Sequence, residues 1–511
     1  MKAATLRTYL SVHSWVGIAS GIFLFIAFYA GAISVFVHEL QGWGAPPRPM
    51  PTREEGLAAA QRLLDAVARD GKLAGEPFLV LPGEHGVEPS LRFFDEATRT
   101  EHRFAPDGRG GAIETAPRSG FVDFVYDLHF TAGLPRAFGT YLFGIVCVLY
   151  GLALVSGVVL YAPVFFRDLF ALRIGRNLKR LWQDAHNVIG VLSLPFHVMF
   201  AWSGAVLTIG FVLLAPFQFL VFENRLLDVL EADFEVAPHV AEAGVAQTML
   251  PVAELVRRAE AALPGLSAES LSFHDPGDAN AIATVYGPIA QRRLTNLGAV
   301  ALRAGDGETI RALPPDDFTP GTTFLRGLQT LHYGNFGAAA VKWLYFVLGL
   351  AGAFLFYTGN LLWIESRRKR RQPAQPRSTR FMAALTLGTC LGCVAGVSAV
   401  FVAGALLPEA WTPRVYWTVF LACSAWAFLR PPARAAHELL LGCALLTLAV
   451  PAAGWIGSGE SPLAALARGD AHRPLIDVVA VLLAIAFQRM ATAALRRGRE
   501  GDPNSVWALP G

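Results

Sequence analysis

The chain has 511 residues, 53% hydrophobic and 16% charged, with a mean hydropathy of +0.42, which excludes an ordinary soluble domain and points to a polytopic membrane protein. The net charge of +3 comes from basic residues gathered in a few loops and leaves no footprint for nucleic acid. All five cysteines (Cys147, Cys390, Cys393, Cys423, Cys443) fall in apolar stretches, so no disulfide framework stands outside the membrane, and the Cys390/Cys393 pair reads as small packing residues.

Taken in order, residues 1–40 give a short basic N-terminus and a first span, Val12–Val37, with no small-residue cleavage pattern, which reads as a retained helix. Residues 41–127 are polar, 128–166 hold the second span (Phe138–Phe165), and 167–182 are a basic loop. The third span lies in 183–222, a second polar region in 223–328, the fourth span (Ala340–Ile364) in 329–365, and a basic linker in 366–380. Residues 381–496 hold four further apolar segments, Phe381–Leu407, Val415–Leu429, Glu438–Ile456 and Leu475–Leu495, before a tail over 497–511. Basic residues sit at the N-terminus and after spans two, four, six and eight. The positive-inside rule then puts both termini in the cytoplasm and both polar regions outside.

Each polar region has the pattern of one helix packed on a small antiparallel sheet: REEGLAAAQRLLDAVARDG before PFLVLP, SLRFFD and EHRFAP, then VAELVRRAEAAL before SLSFHD, AIATVYG and AVALRAG. His85, His102, His239 and His274 are scattered there and read as surface residues. The expected fold is a polytopic α-helical membrane protein of about eight spans, with two outer α+β domains inserted in a duplicated helix–domain–helix unit.

Histidines mark that duplication. In the third span, QDAHNVIGVLSLPFHVMFAWSGAVLT, His186 and His197 are eleven residues apart; on one helix that is ~16 Å along the axis and ~20° around it. An ionisable side chain within a membrane is costly and marks a function. Span one aligns with span three, placing His13 with His186, Gly17 with Gly190 and Gly31 with Gly204. The approach to span two aligns with the approach to span four, placing His129 with His332 and Ser156-Gly157 with Thr358-Gly359. His197 has no counterpart; Leu24 takes its place. A pseudo-twofold axis along the membrane normal brings His13 near His186 inside and His129 near His332 outside. Two neutral imidazoles facing each other suit a six-coordinate haem iron. Gly17, Gly133, Gly190, Gly334 and Gly337 read as room for a flat macrocycle.

The motifs VHSWVGIASGIFLFIAFYAGAISV, YDLHFTAGL…GLALVSGVVLYAP, DAHNVIGVLSLPFHVMFAWSGA and LQTLHYGNFGA…GLAGAFLFYTGNLLWIESRRKR resemble the PepSY-associated transmembrane proteins, which include inner-membrane ferric-siderophore reductases. The resemblance covers roughly Leu6 to Arg371, takes in both outer regions as PepSY-like domains, and leaves the last four spans as an extension. It implies an oxidoreductase of the bacterial inner membrane: two b-type haems on His13/His186 and His129/His332, with electrons passing to a ferric siderophore or similar chelate at the periplasmic domains. His197 is either an alternative ligand of the outer haem or a partner of a propionate. No nucleotide or flavin signature is visible, so a quinol or a separate cytoplasmic reductase is the expected donor. Two other readings accompany this one: a regulatory or interaction protein whose PepSY-like domains hold periplasmic partners, and a transporter. The parallel repeats and the absence of paired buried acids argue against the transporter.

Overall fold

The computed structural model describes residues 3–70, 73, 75–83, 88–95, 98–115, 120–165, 173, 177–226, 236–238, 240–289, 294–369 and 371–509. His85, His239 and part of the expected 167–182 loop lie outside them. The chain divides into two compact units, one from Met1–Pro46, Gly120–Val212 and His332–Gly511, the other from Pro47–Ser119 and Leu213–Leu331.

The main elements are α1 (Ala3–Ser34), α2 (Arg53–Arg69), β1 (Phe78–Val80), β2 (Ser90–Asp95), β3 (Thr100–Pro106), β4 (Ala112–Thr115), α3 (Phe121–Thr131), α4 (Arg136–Tyr161), α5 (Leu178–Leu192) and α6 (Leu194–Leu220). They continue with α7 (Val252–Ala262), β5 (Ser270–His274), β6 (Ile282–Pro288), β7 (Leu297–Arg303), β8 (Thr309–Leu313), α8 (Pro320–Tyr333) and α9 (Ala338–Arg367). The last four are α10 (Arg377–Leu406), α11 (Thr412–Leu429), α12 (Pro432–Ser458) and α13 (His472–Glu500).

Among the described residues seven helices are long and apolar enough to cross a membrane: α1, α4, α6, α9, α10, α12 and α13. The sixth expected span is the exception. It is α11, only 18 residues long, with Pro413 and Arg414 in its first turn. That helix leans on the small-residue face of α10. A Cβ on Gly388 would lie 2.9 Å from Ser424 Cα, and one on Gly396 would lie 2.8 Å from the Tyr416 ring. Close backbone approach of this kind is how helices associate where no hydrophobic gain separates them from lipid.

The repeat is visible in the backbone. The approach to each even span is a helix of its own, α3 or α8, closed by a left-handed turn. Ala132 (φ 53°) and Gly133 (φ 74°) stand between α3 and α4, and Gly334 (φ 65°) and Gly337 (φ 74°) between α8 and α9. The third span is not the single helix expected from Gln183 to Thr208. It breaks at Ser193 (φ −101°, ψ 13°), between α5 and α6. Pro195 explains the break, because its ring excludes the carbonyl four residues back and it has no N–H to give. His186 and His197 therefore lie on different helices.

In the second unit the two expected sheets are one. Eight antiparallel strands run in the order β4-β3-β2-β1-β5-β6-β7-β8. The seam is β1 against β5, pairing Phe78 with Ser272, Leu79 with Leu271 and Val80 with Ser270. Each four-stranded half would otherwise present its first strand as an unpaired edge, and pairing the two removes both edges. One core serves both halves: Leu63 and Val67 of α2, Leu255 and Val256 of α7, and the inward residues Leu79, Leu91, Phe104, Leu271, Phe273, Val285 and Val300. The helices are also tied to each other, since Gln61 Oε1 on α2 accepts from the Val252 amide at 2.7 Å, in the first turn of α7. The two small antiparallel sheets expected of the outer regions are thus two halves of one.

Candidate functional site: two histidine pairs

The first pair joins α1 to α5. His13 and His186 have ring centroids 6.2 Å apart with planes at 77°. His13 Nδ1 donates to the Ala153 carbonyl at 2.9 Å and His186 Nδ1 to the Leu355 carbonyl at 3.1 Å. A carbonyl only accepts, so both rings carry their proton on Nδ1 and the lone pair on Nε2. Ala153 and Leu355 are equivalent positions of the repeat, three residues before Ser156 and Thr358. The glycines that follow seat the rings: a Cβ on Gly157 would lie 3.1 Å from His13 Cε1, and one on Gly359 would lie 3.2 Å from His186 Cε1. One turn beyond each histidine there is space. A Cβ on Gly17 would meet nothing within 4 Å, and one on Gly190 would meet only the Leu355 methyl, at 3.6 Å.

The second pair joins α3 to α8. His129 and His332 have centroids 6.0 Å apart at 52°. His129 Nδ1 donates to the Ala27 carbonyl of α1 at 2.7 Å. His332 Nδ1 lies 2.6 Å from Ser203 Oγ of α6. That hydroxyl gives its hydrogen to the Met199 carbonyl at 2.8 Å, so it accepts from the imidazole. The two copies reach the same tautomer by different acceptors, since the residue equivalent to Ser203 in the first copy is Ala30. Gly133, Gly334 and Gly337 do not open space here, as the sequence suggested. All three adopt positive φ in turns, and Cβ atoms on them would collide with Trp417, Tyr345 and Val341.

All four rings thus have Nδ1 tied to the protein and Nε2 without a partner among the described residues. Metal-binding histidines are oriented in this way, with the second nitrogen held by a carbonyl or hydroxyl. Were a metal held between two such nitrogens at about 2 Å from each, the ring centroids, half a ring beyond each nitrogen, would stand roughly 6 Å apart. Both pairs match that spacing.

His197 is built differently. It is fully buried. Ser193 Oγ gives its hydrogen to the Ile189 carbonyl at 2.6 Å and accepts from His197 Nε2 at 2.9 Å. The Tyr150 hydroxyl donates to His197 Nδ1. Both ring nitrogens are occupied, and the ring sits among Phe28, Phe196 and Phe356. The sequence did not single out Tyr150, Ser193 or Ser203. A phenol in an apolar span and a serine four residues before a histidine were the available signals.

In the sheet-bearing unit the described histidines bond to acids: His102 Nδ1 to Glu114 at 2.7 Å and His274 Nδ1 to Glu76 at 2.9 Å. Among the described residues no three His, Cys, Asp or Glu side chains converge on a point that could hold a bare metal ion. What the helices bring together is histidines in twos.

Comparison with known proteins follows the same outline. The profile of the PepSY-associated TM region matches residues 10–366. An uncharacterized protein of Pseudomonas aeruginosa is 27% identical over 369 residues, covering 67% of this chain and 89% of its own length.

Proposed function

The chain belongs to the PepSY-associated TM family, and from that premise we propose that it is an inner-membrane oxidoreductase. In this reading it carries electrons through two b-type haems to a ferric siderophore, or a similar ferric chelate, on the periplasmic side. One observation carries the reading: four imidazoles in two pairs, each with Nδ1 fixed and Nε2 free. His13 and His186 would hold the haem near the cytoplasm, and His129 and His332 the haem near the periplasm. When bound, the haems supply one-electron transfer, and axial ligands, burial and hydrogen bonds set their potentials.

The chain's own residues supply position. From His13 to Ala27, the acceptor for His129, is fourteen residues of α1, so the two pairs stand roughly 21 Å apart along the axis. His197, with both nitrogens occupied, holds α4 to α6 between them. It acts as a hydrogen-bonded strut and not as a ligand. Reduction matters because Fe2+ is a poorer match than Fe3+ for hard oxygen ligands, so the chelate releases it for uptake.

The basic segments put both termini in the cytoplasm and the sheet unit in the periplasm. In this topology α10 to α13 count as four further spans, α11 crossing against the glycine face of α10. A quinol or a separate cytoplasmic reductase supplies the electrons. The test is to reduce the purified protein with dithionite and add a ferric siderophore. Reoxidation of the haem bands supports the reading. Haem that stays reduced removes the reductase, and a colourless protein leaves the regulatory or interaction alternative.

A further inference from the structure

Beside the first histidine pair, two buried indole N–H groups have no acceptor among the described residues: Trp182 Nε1 and Trp363 Nε1. Their placement follows from the contact between α5 and α9. Gly190 meets Leu355 and His186 meets Gly359, so the two helices run antiparallel. One further turn in that register brings Trp182 level with Trp363. Trp182 thus stands one turn, about 5–6 Å along the axis, from His186 on the side away from His197, with Trp363 level with it on the facing helix. A buried donor without an acceptor is costly and rare in folded proteins, and it calls for an explanation.

The surroundings specify the missing acceptor. The Arg367 guanidinium lies 3.9 Å over the Trp363 ring and 5.7 Å from that of Trp15. Trp15 in turn stands 6.4 Å from Trp363 and two residues from His13. Among the described residues Arg367 forms no ion pair. The neighbouring acids are already engaged, Asp184 with Arg173 at 2.7 Å and Glu365 with Arg368 at 3.0 Å. Two N–H donors beside a guanidinium that forms no ion pair among the described residues suit an anion with several acceptor oxygens.

We propose that Trp182 and Trp363, backed by Arg367, receive a propionate carboxylate of the haem held by His13 and His186. This inference rests on the haem reading above. It assigns to these indoles the propionate role that His197, with both nitrogens occupied, does not fill.

The test separates the carboxylate from the macrocycle. Protein freed of haem is reconstituted with haem or with haem dimethyl ester, in the parent and in Trp182→Phe, Trp363→Phe and the double variant. Haem release to an acceptor globin and the reduction potential are measured. The haem at this pair is identified as the one missing in His186→Ala. A hydrogen bond to a charged acceptor predicts about ten-fold faster release of free-acid haem for each Trp→Phe change. The dimethyl ester leaves the parent as fast as it leaves the double variant, and the reduction potential shifts in the variants for free-acid haem alone. Unchanged release of free-acid haem in the double variant overturns the proposal. So does an equal acceleration of acid and ester, which marks a merely structural role. A parent that takes up no haem in either form overturns instead the reading on which the proposal rests.

Discussion

Gly31 shows how a single hydrogen atom decides a site. A Cβ there would stand 2.6 Å from His129 Nδ1, inside any tolerable contact, and would push the ring off the Ala27 carbonyl that orients it. Gly31→Ala is therefore expected to lower haem content from two to one per chain by pyridine haemochrome assay, with the His13/His186 haem retained. A variant that keeps two would show that His129 needs no fixed acceptor. His197 gives the opposite expectation. His197→Ala is expected to keep both haems and their spectra. Its thermal midpoint falls, because a buried Tyr150 hydroxyl loses its acceptor, at about 1–3 kcal/mol, with a cavity penalty added. Loss of a haem in that variant would make His197 a ligand after all. The four paired histidines were legible because the repeat aligns them. Their acceptors were not, since Ala153 and Leu355 offer only backbone, and Ser203 bonds a residue 129 positions away.

Secondary elements carry the next set of consequences. Alternating apolar residues announced three of the four strands in each outer region, leaving β4 and β8 unmarked, and the helix before each was equally clear. The structure adds the capping box that starts the first, in which Thr52 accepts from the Glu55 amide. The joining of the two sheets was not readable. The seam rests on three residues of β1, and strand pairing between distant segments leaves no periodic trace. If the halves share one core, Leu79→Pro, in the middle of a central strand where proline removes ladder hydrogen bonds, is expected to strip hydrogen-exchange protection from β2 and β6 alike. Loss confined to β1–β4 would mean two independent domains. The first turn of α7 offers a pH test. Arg257 and Arg258 hydrogen-bond the Glu254 carboxylate and hold its pKa down to about 2, from an ordinary 4.5. A depressed acid stabilises the fold above its unfolded value and loses that contribution as pH falls from 4.5 towards 2. Glu254→Gln should therefore melt below the parent at pH 5, with the gap narrowing at pH 3 in scanning fluorimetry. A gap independent of pH would contradict the ion pairs.

At the scale of the molecule, the matched region, residues 10–366, and the C-terminal helices are not loosely appended to each other. Trp43, just after α1, packs on Phe401 of α10 at 5.4 Å, and a Cβ on Gly454 of α12 would lie 2.7 Å from the Trp43 ring. Composition and hydropathy showed a membrane protein, and basic loops suggested its orientation. The break at Ser193 depended on one proline, a local feature that a window average smooths away, and the polar first turn of α11, with Pro413 and Arg414, lowers its apolar character.

The central claim is that the chain holds two haems, one on each histidine pair. Haem per chain, with low-temperature spectra of the α bands, tests it most directly in the parent, His186→Ala and His332→Ala proteins. The account predicts two haems in the parent and one in each variant, with a different α band lost each time. A parent without haem, or the same band lost in both variants, would contradict it.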